Sequence, residues 1–188
     1  TTAKFMQFFK RIIIIARNNG ILDKDPFASY KIRLEKVDRG YLTEDEINRV
    51  MNINFVAPVL LQTVLLANKK LNKKSSVVFI ASHGASSPAI ANSLYSASKG
   101  AIISYANCLA LEVAPRGIRV NCISPAMVWT DLIINDGVTE DMLREDEKLY
   151  PLGRYGNPDD ISPLAVYLLS DASTWMTTTN IKITGGGE

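Results

Sequence analysis

Tyr95 and Lys99 stand four residues apart at the head of a long apolar stretch, "SLYSASKGAIISYANCLALE" (residues 93–112). On a helix such positions lie one above the other, about 6 Å apart along the axis. A free tyrosine titrates near pH ~10, too high for efficient proton transfer at neutral pH. An ammonium fixed beside it stabilises the phenolate and brings it into range. The pair could then exchange a proton with an alcohol or ketone oxygen. Ser82, at the carboxyl end of "VVFIAS", could donate a hydrogen bond to that oxygen, and Asn54, in "MNINFVAP", could hold a water that relays the proton outward. Each residue has a plainer reading. Tyr and Lys at this spacing are common by chance, and a serine after a strand is usually a turn residue. Asn54 could be a core amide holding a bend near Pro58. His83, the only histidine, adjoins Ser82. Neighbouring side chains leaving a strand point to opposite sides, so His83 reads as a loop residue.

These residues need elements to position them. "RIIIIA" (residues 11–16), followed by "NNG", reads as a strand and a turn, with a helix over the same residues as the competing reading. Residues 21–40 show no clean period. "TEDE" at Thr43–Glu46 is a capping box that opens a helix, in which Pro58 should produce a bend. "SSVVFIAS" (residues 75–82) predicts a strand buried on both faces. The helix from Ser93 runs to about Ala114, and "IRVNCIS" is a second buried strand. A loop, "PAMVWTDLI", leads to an exposed helix over "TEDMLREDEKLY", whose "REDEK" reads as a solvated face. Asn157 and Pro158 open another helix, and "NIKIT" is a last strand. Strands alternating with helices predict right-handed crossovers and an open parallel α/β sheet. Ligands of such sheets collect at the carboxyl ends of the strands, the edge to which Ser82, Tyr95, Lys99 and the loop after "IRVNCIS" are all assigned.

Composition narrows the function. A chain of 188 residues is expected to form one domain with a real core. Its net charge of +2 gives no support for nucleic-acid binding. Cys108 and Cys122 both sit in apolar stretches and are expected to be buried, reduced thiols. Two cysteines and one histidine argue against a structural metal site. No apolar run reaches the length of about 18 residues that a membrane helix needs, and the start has no signal-peptide pattern. A cytoplasmic protein with no membrane partner is the expectation.

The pattern S-x12-Y-x3-K, here Ser82, Tyr95 and Lys99, resembles the active-site signature of the short-chain dehydrogenase/reductases. "MNINFVAP" resembles the helix that carries the family's catalytic asparagine, which falls on Asn54. "GIRVNCISPAMVWTDL" and "GRYGNPDDISPLAVYLLSDASTWMTTTNIKITGG" resemble its later blocks. The resemblance covers about residues 42–187 and is nearest to the 3-oxoacyl-carrier-protein reductase type. It implies a Rossmann-like, doubly wound parallel sheet and hydride transfer between NAD or NADP and a small carbonyl or alcohol. It also implies a homo-oligomer, dimer or tetramer. Tyr95 would be the acid–base. Lys99 would bind the nicotinamide ribose, Ser82 would orient the substrate oxygen, and Asn54 would hold the relay water. Pro125, Ala126, Val128 and Thr130 would line the nicotinamide side, and Asn19, in "NNGIL", matches the family's "NNAG" turn.

The chain also departs from the family pattern. No glycine-rich G-x-x-x-G-x-G turn is present, so the chain is expected to be an N-terminally truncated, partial domain with a divergent region over residues 1–41. Ala126 replaces the usual glycine after Pro125. Thr178 replaces another glycine, where a β-branched residue would resist a positive φ. The competing reading is a non-catalytic remnant that keeps the family's assembly surfaces, since the two long helices retain their apolar content.

Overall fold

The structure, a computed structural model, describes residues 18, 20, 40–131, 133 and 139–187. The chain divides into two units, Thr1–Tyr41 and Leu42–Glu188. The strand expected over residues 11–16 and the turn containing Asn19 lie outside the described residues, as does most of the segment between Asp131 and Thr139.

The second unit is built on three parallel strands in the order β1–β2–β3: β1 Ser76–Ile80, β2 Arg119–Pro125 and β3 Asn180–Ile183. Ser76 pairs with Arg119 and Ile80 with Ile123, while Cys122 pairs with Asn180 and Pro125 with Ile183. Among the described residues five α-helices accompany them: α1 Glu44–Met51, α2 Ala57–Ala67, α3 Ser93–Val113, α4 Glu140–Glu147 and α5 Pro158–Leu169. The parallel pairing follows from the helical crossovers, α3 between β1 and β2 and α5 between β2 and β3.

Ile102, Ala106, Leu109 and Val113 recur at helical spacing on α3. They are buried with Phe79, Ile118, Val120 and Cys122 in one core. Tyr105 stands edge-on to Phe79 of β1 and to Phe55, at centroid distances of 6.0 and 6.3 Å. One aromatic ring thus ties the sheet to the segment that carries Asn54.

Four expectations change in detail. β2 is buried along its length, but β1 is only half-buried and Ile80 is exposed. Among the described residues β1 is paired on one side only, with β2. Cys122 is buried, whereas Cys108 is exposed on α3; neither thiol is in a disulfide. The bend near Pro58 is a π-helical turn, Asn52–Val56, that joins α1 to α2. Pro58 sits in the first turn of α2, where its missing N–H costs little. Because the π turn makes the two helices continuous, Glu44–Ala67 is long and apolar enough by length and composition to cross a membrane, which the broken run had concealed in the sequence.

The capping box forms as expected: Glu46 N donates to Thr43 Oγ1 (3.2 Å), and Thr43 N donates to Glu46 Oε2 (2.8 Å).

Candidate active site

β1 ends at Ile80, and Ser82 begins a short 3₁₀ turn, His83–Ala85. Ser82 Oγ accepts from Gly84 N at 3.1 Å, which orients the hydroxyl and leaves its proton available to donate. α3 starts eleven residues later and returns over the same end of the sheet. Its first turn carries Tyr95, and Lys99 follows on the same face, with Nζ 5.8 Å from the Tyr95 ring centroid. Lys99 Nζ also donates to Ile80 O at 3.0 Å. Ala81 N–H donates across to Ile123 of β2, so the Ile80 carbonyl points to the other edge of β1. The ammonium is therefore anchored at the carboxyl end of β1, beside Ser82. Partial burial lowers the Lys99 pKa from its ordinary value.

Asn54 lies within the π turn. Its Nδ2 donates to Ser98 Oγ at 3.0 Å, and Ser98 Oγ donates to Tyr95 O at 2.7 Å. The amide nitrogen is thus linked through a fully buried serine to the backbone of the tyrosine. Ser98 was missed in the sequence: a small polar residue inside an apolar helix gave no period to single it out.

Pro125 closes β2, and Ala126 N donates to Ile183 O at 3.0 Å. Ala126 is not among the described residues with positive φ, so the loss of glycine there carries no backbone strain. Val128 bridges Gly156; Gly156 N donates to Met127 O (3.0 Å) and Trp129 N to Gly156 O (2.9 Å). Thr130 is exposed at the end of this loop. The structure therefore brings Asn54, Ser82, Tyr95 and Lys99 to the carboxyl end of β1 and places residues 125–130 at the carboxyl end of β2. Asn19 lies outside the described residues.

Two features escaped the sequence reading. Among the described residues, both ring nitrogens of His83 and the Ser96 hydroxyl are buried without partners. Ser96 Oγ and Ser82 Oγ flank Gly84, at 3.8 and 3.4 Å from where a Cβ would stand. His83 is the loop residue expected, with its ring nitrogens turned away from water. The "REDEK" run is also not wholly solvated. Leu143 and Glu147 are buried on one face of α4, and Glu147 meets Trp129. The i, i+4 spacing of Leu143 and Glu147 was the available signal.

Among the described residues no group of three or more histidine, cysteine or acidic side chains is arranged to hold a metal. The described donors suit the nicotinamide-ribose half of a dinucleotide: a half-buried ammonium, a neighbouring phenol and an exposed threonine hydroxyl.

A parallel sheet with helical crossovers and a serine, tyrosine and lysine at its carboxyl edge defines a Rossmann-like α/β protein. The family model described as Enoyl-(Acyl carrier protein) reductase matches residues 2–188, and the chain belongs to the short-chain dehydrogenase/reductase family. It is 29% identical over 185 residues to the 3-oxoacyl-[acyl-carrier-protein] reductase FabG of Chlamydia pneumoniae, covering 97% of this chain and 68% of that protein. It is 34% identical over 182 residues to an uncharacterized oxidoreductase of Methylorubrum extorquens, covering 96% of this chain and 68% of that protein. Among solved structures, a short-chain dehydrogenase/reductase from Brucella melitensis matches with TM-score 0.70 at 30% identity, over 77% of this chain and 57% of its own. A 4-hydroxyisoleucine dehydrogenase complexed with NADH matches with TM-score 0.67 at 31% identity, over 78% of this chain and 61% of its own.

Proposed function

We propose that this chain carries the catalytic part of an NAD(P)-dependent oxidoreductase that interconverts a small carbonyl compound and its alcohol. The observation that carries the reading is the Tyr95–Lys99 pair on one face of α3, with the ammonium anchored beside Ser82. The nicotinamide cofactor, NAD or NADP, supplies the hydride chemistry when bound. Lys99 would leave the Ile80 carbonyl to hold the ribose. Pro125, Ala126, Val128 and Thr130 would line the nicotinamide side. Ser82 Oγ donates to the substrate oxygen and places it. The Tyr95 hydroxyl gives its proton to that oxygen during reduction and recovers one in the reverse direction. Asn54, whose Nδ2 donates to Ser98 Oγ, would keep a relay water near the tyrosine. A cytoplasmic setting belongs to the same reading.

The test is titration with NADH and NADPH, followed by Tyr95→Phe in a carbonyl-reductase assay. Phenylalanine keeps the ring and removes the proton, so the expected result is loss of carbonyl reduction by at least about 100-fold with folding intact. Activity unchanged by Tyr95→Phe would sink the assignment.

A second reading, assembly into a homo-oligomer, rests on a separate observation. Ile53, Val56, Leu60 and Val64 follow one another at helical spacing along the π turn and α2, and all are exposed.

A further inference from the structure

Glu147 is the last residue of α4 and only 8% exposed. A carboxylate so far from water needs donors, and this one has three. Glu147 Oε1 accepts from Trp129 Nε1 at 2.5 Å and from Tyr155 N at 3.0 Å, and Oε2 faces the Arg144 guanidinium at 3.5 Å. These donors hold the Glu147 pKa below the usual carboxylate range, the Trp129 indole most strongly. Trp129 is further clasped between the Arg144 guanidinium, 5.0 Å from its ring, and Tyr155, at a centroid distance of 5.6 Å. Its backbone is paired to Gly156. The loop after β2 therefore has one heavily restrained residue, and the next is Thr130.

We propose that Glu147 is a positioning residue for the cofactor: by binding the Trp129 indole and the Tyr155 amide on one oxygen, it sets where residues 128–130 meet the nicotinamide. The inference rests on the oxidoreductase reading, in which that loop faces the cofactor. Glu147 itself touches neither cofactor nor substrate. It acts through an acceptor oxygen at a fixed place, so a neutral side chain that keeps the oxygen should serve and an apolar one should not.

The experiment compares Glu147→Leu and Glu147→Gln for NADH and NADPH affinity, read from nucleotide fluorescence, and for the emission of Trp129. Trp175 is 99% exposed, so Trp175→Phe gives a background in which Trp129 reports alone. Loss of hydrogen bonds to a charged acceptor is expected to weaken nucleotide binding about tenfold in Glu147→Leu and to move Trp129 emission to the red. Glu147→Gln is expected to recover most of both. Should Glu147→Leu fail to fold, Trp129→Phe removes the donor from the other side and is expected to weaken binding by a similar factor. Wild-type affinity in Glu147→Leu or Trp129→Phe would overturn the inference, as would Glu147→Gln binding no better than Glu147→Leu. A wild-type chain that binds neither nucleotide would overturn the oxidoreductase reading and this inference with it. Normal binding unmoved by these substitutions would overturn this inference alone.

Discussion

Single residues show where the chain has drifted from the pattern that its blocks resemble. Thr178 replaces a glycine, and its φ is +57°. The backbone holds a conformation that suits glycine while the side chain is β-branched. Left-handed backbone costs a non-glycine residue roughly 1–2 kcal/mol. Thr178→Gly removes that strain but returns about 0.5–1 kcal/mol of chain entropy to the unfolded state. The strain is the larger effect, so Thr178→Gly should stabilise by roughly 0.5–1 kcal/mol. Thr178→Asn, which tolerates this region at less entropic cost, should do at least as well. Urea unfolding monitored by circular dichroism checks both, and an unchanged or lower midpoint for the pair would contradict the account. The site residues were legible at this scale wherever two polar types recur at a fixed spacing, as with Ser82, Tyr95 and Lys99. Ser98 was not legible, and Glu147 was legible only as sharing a helix face with Leu143, because their roles come from partners distant in the chain, Asn54 and Trp129. Cys108 shows the opposite failure. Its apolar neighbours suggested burial, but on a helix the neighbours in sequence point around the whole circumference.

At the level of elements, local rules went furthest where the signal is local. The Thr43–Glu46 capping box and the start of α5 after Asn157 fall where the sequence placed them. The π turn did not announce itself, since a π turn inserts one residue into an otherwise unbroken helical pattern. The junction of β2 with α5 also depends on contacts across the chain. Arg119, at the start of β2, is 8% exposed. Its guanidinium donates to Leu168 O (3.0 Å), Ser170 O (2.9 Å) and Ser173 Oγ (2.7 Å). Two of these acceptors are carbonyls at the end of α5 and in the turn that follows it, which Ser76 Oγ and Ser173 Oγ also reach. One cation therefore closes a helix terminus against the sheet. Arg119→Met keeps the stem but removes the charged donors from this buried group of acceptors. It should destabilise by about 2–4 kcal/mol, lowering the urea midpoint, while Arg119→Lys, with one donor group, should fall between. A methionine variant as stable as wild type would show that water replaces the guanidinium without loss.

At the largest scale, the described residues leave apolar helix surface exposed. Ile53, Val56, Leu60 and Val64 form a stripe on the outer side of the π turn and α2, with Leu60 58% exposed, and Leu111 on α3 is exposed as well. The inner side of the same segment is already used, through Asn54 to Ser98 and Phe55 to Tyr105. An apolar helix face left exposed is stabilised by a matching surface, at roughly 25 cal/mol for each Å² removed from water. A second copy of the chain presents such a surface by symmetry, since an isologous contact sets the same stripe against itself. The wild-type chain should therefore sediment as a dimer or larger oligomer at micromolar concentration. Leu60→Glu combined with Val64→Glu should sediment as a monomer. Both positions are exposed in the chain alone, so the helical circular dichroism signal should be unchanged. The same stripe lies in the stretch Glu44–Ala67 that is long and apolar enough to cross a membrane, which makes lipid the competing occupant. Flotation with neutral phosphatidylcholine vesicles separates the two. Wild-type protein that floats with lipid and does not self-associate would assign the stripe to a membrane. Protein that stays in the aqueous layer as an oligomer, and becomes monomeric on double substitution, assigns it to another copy of the chain.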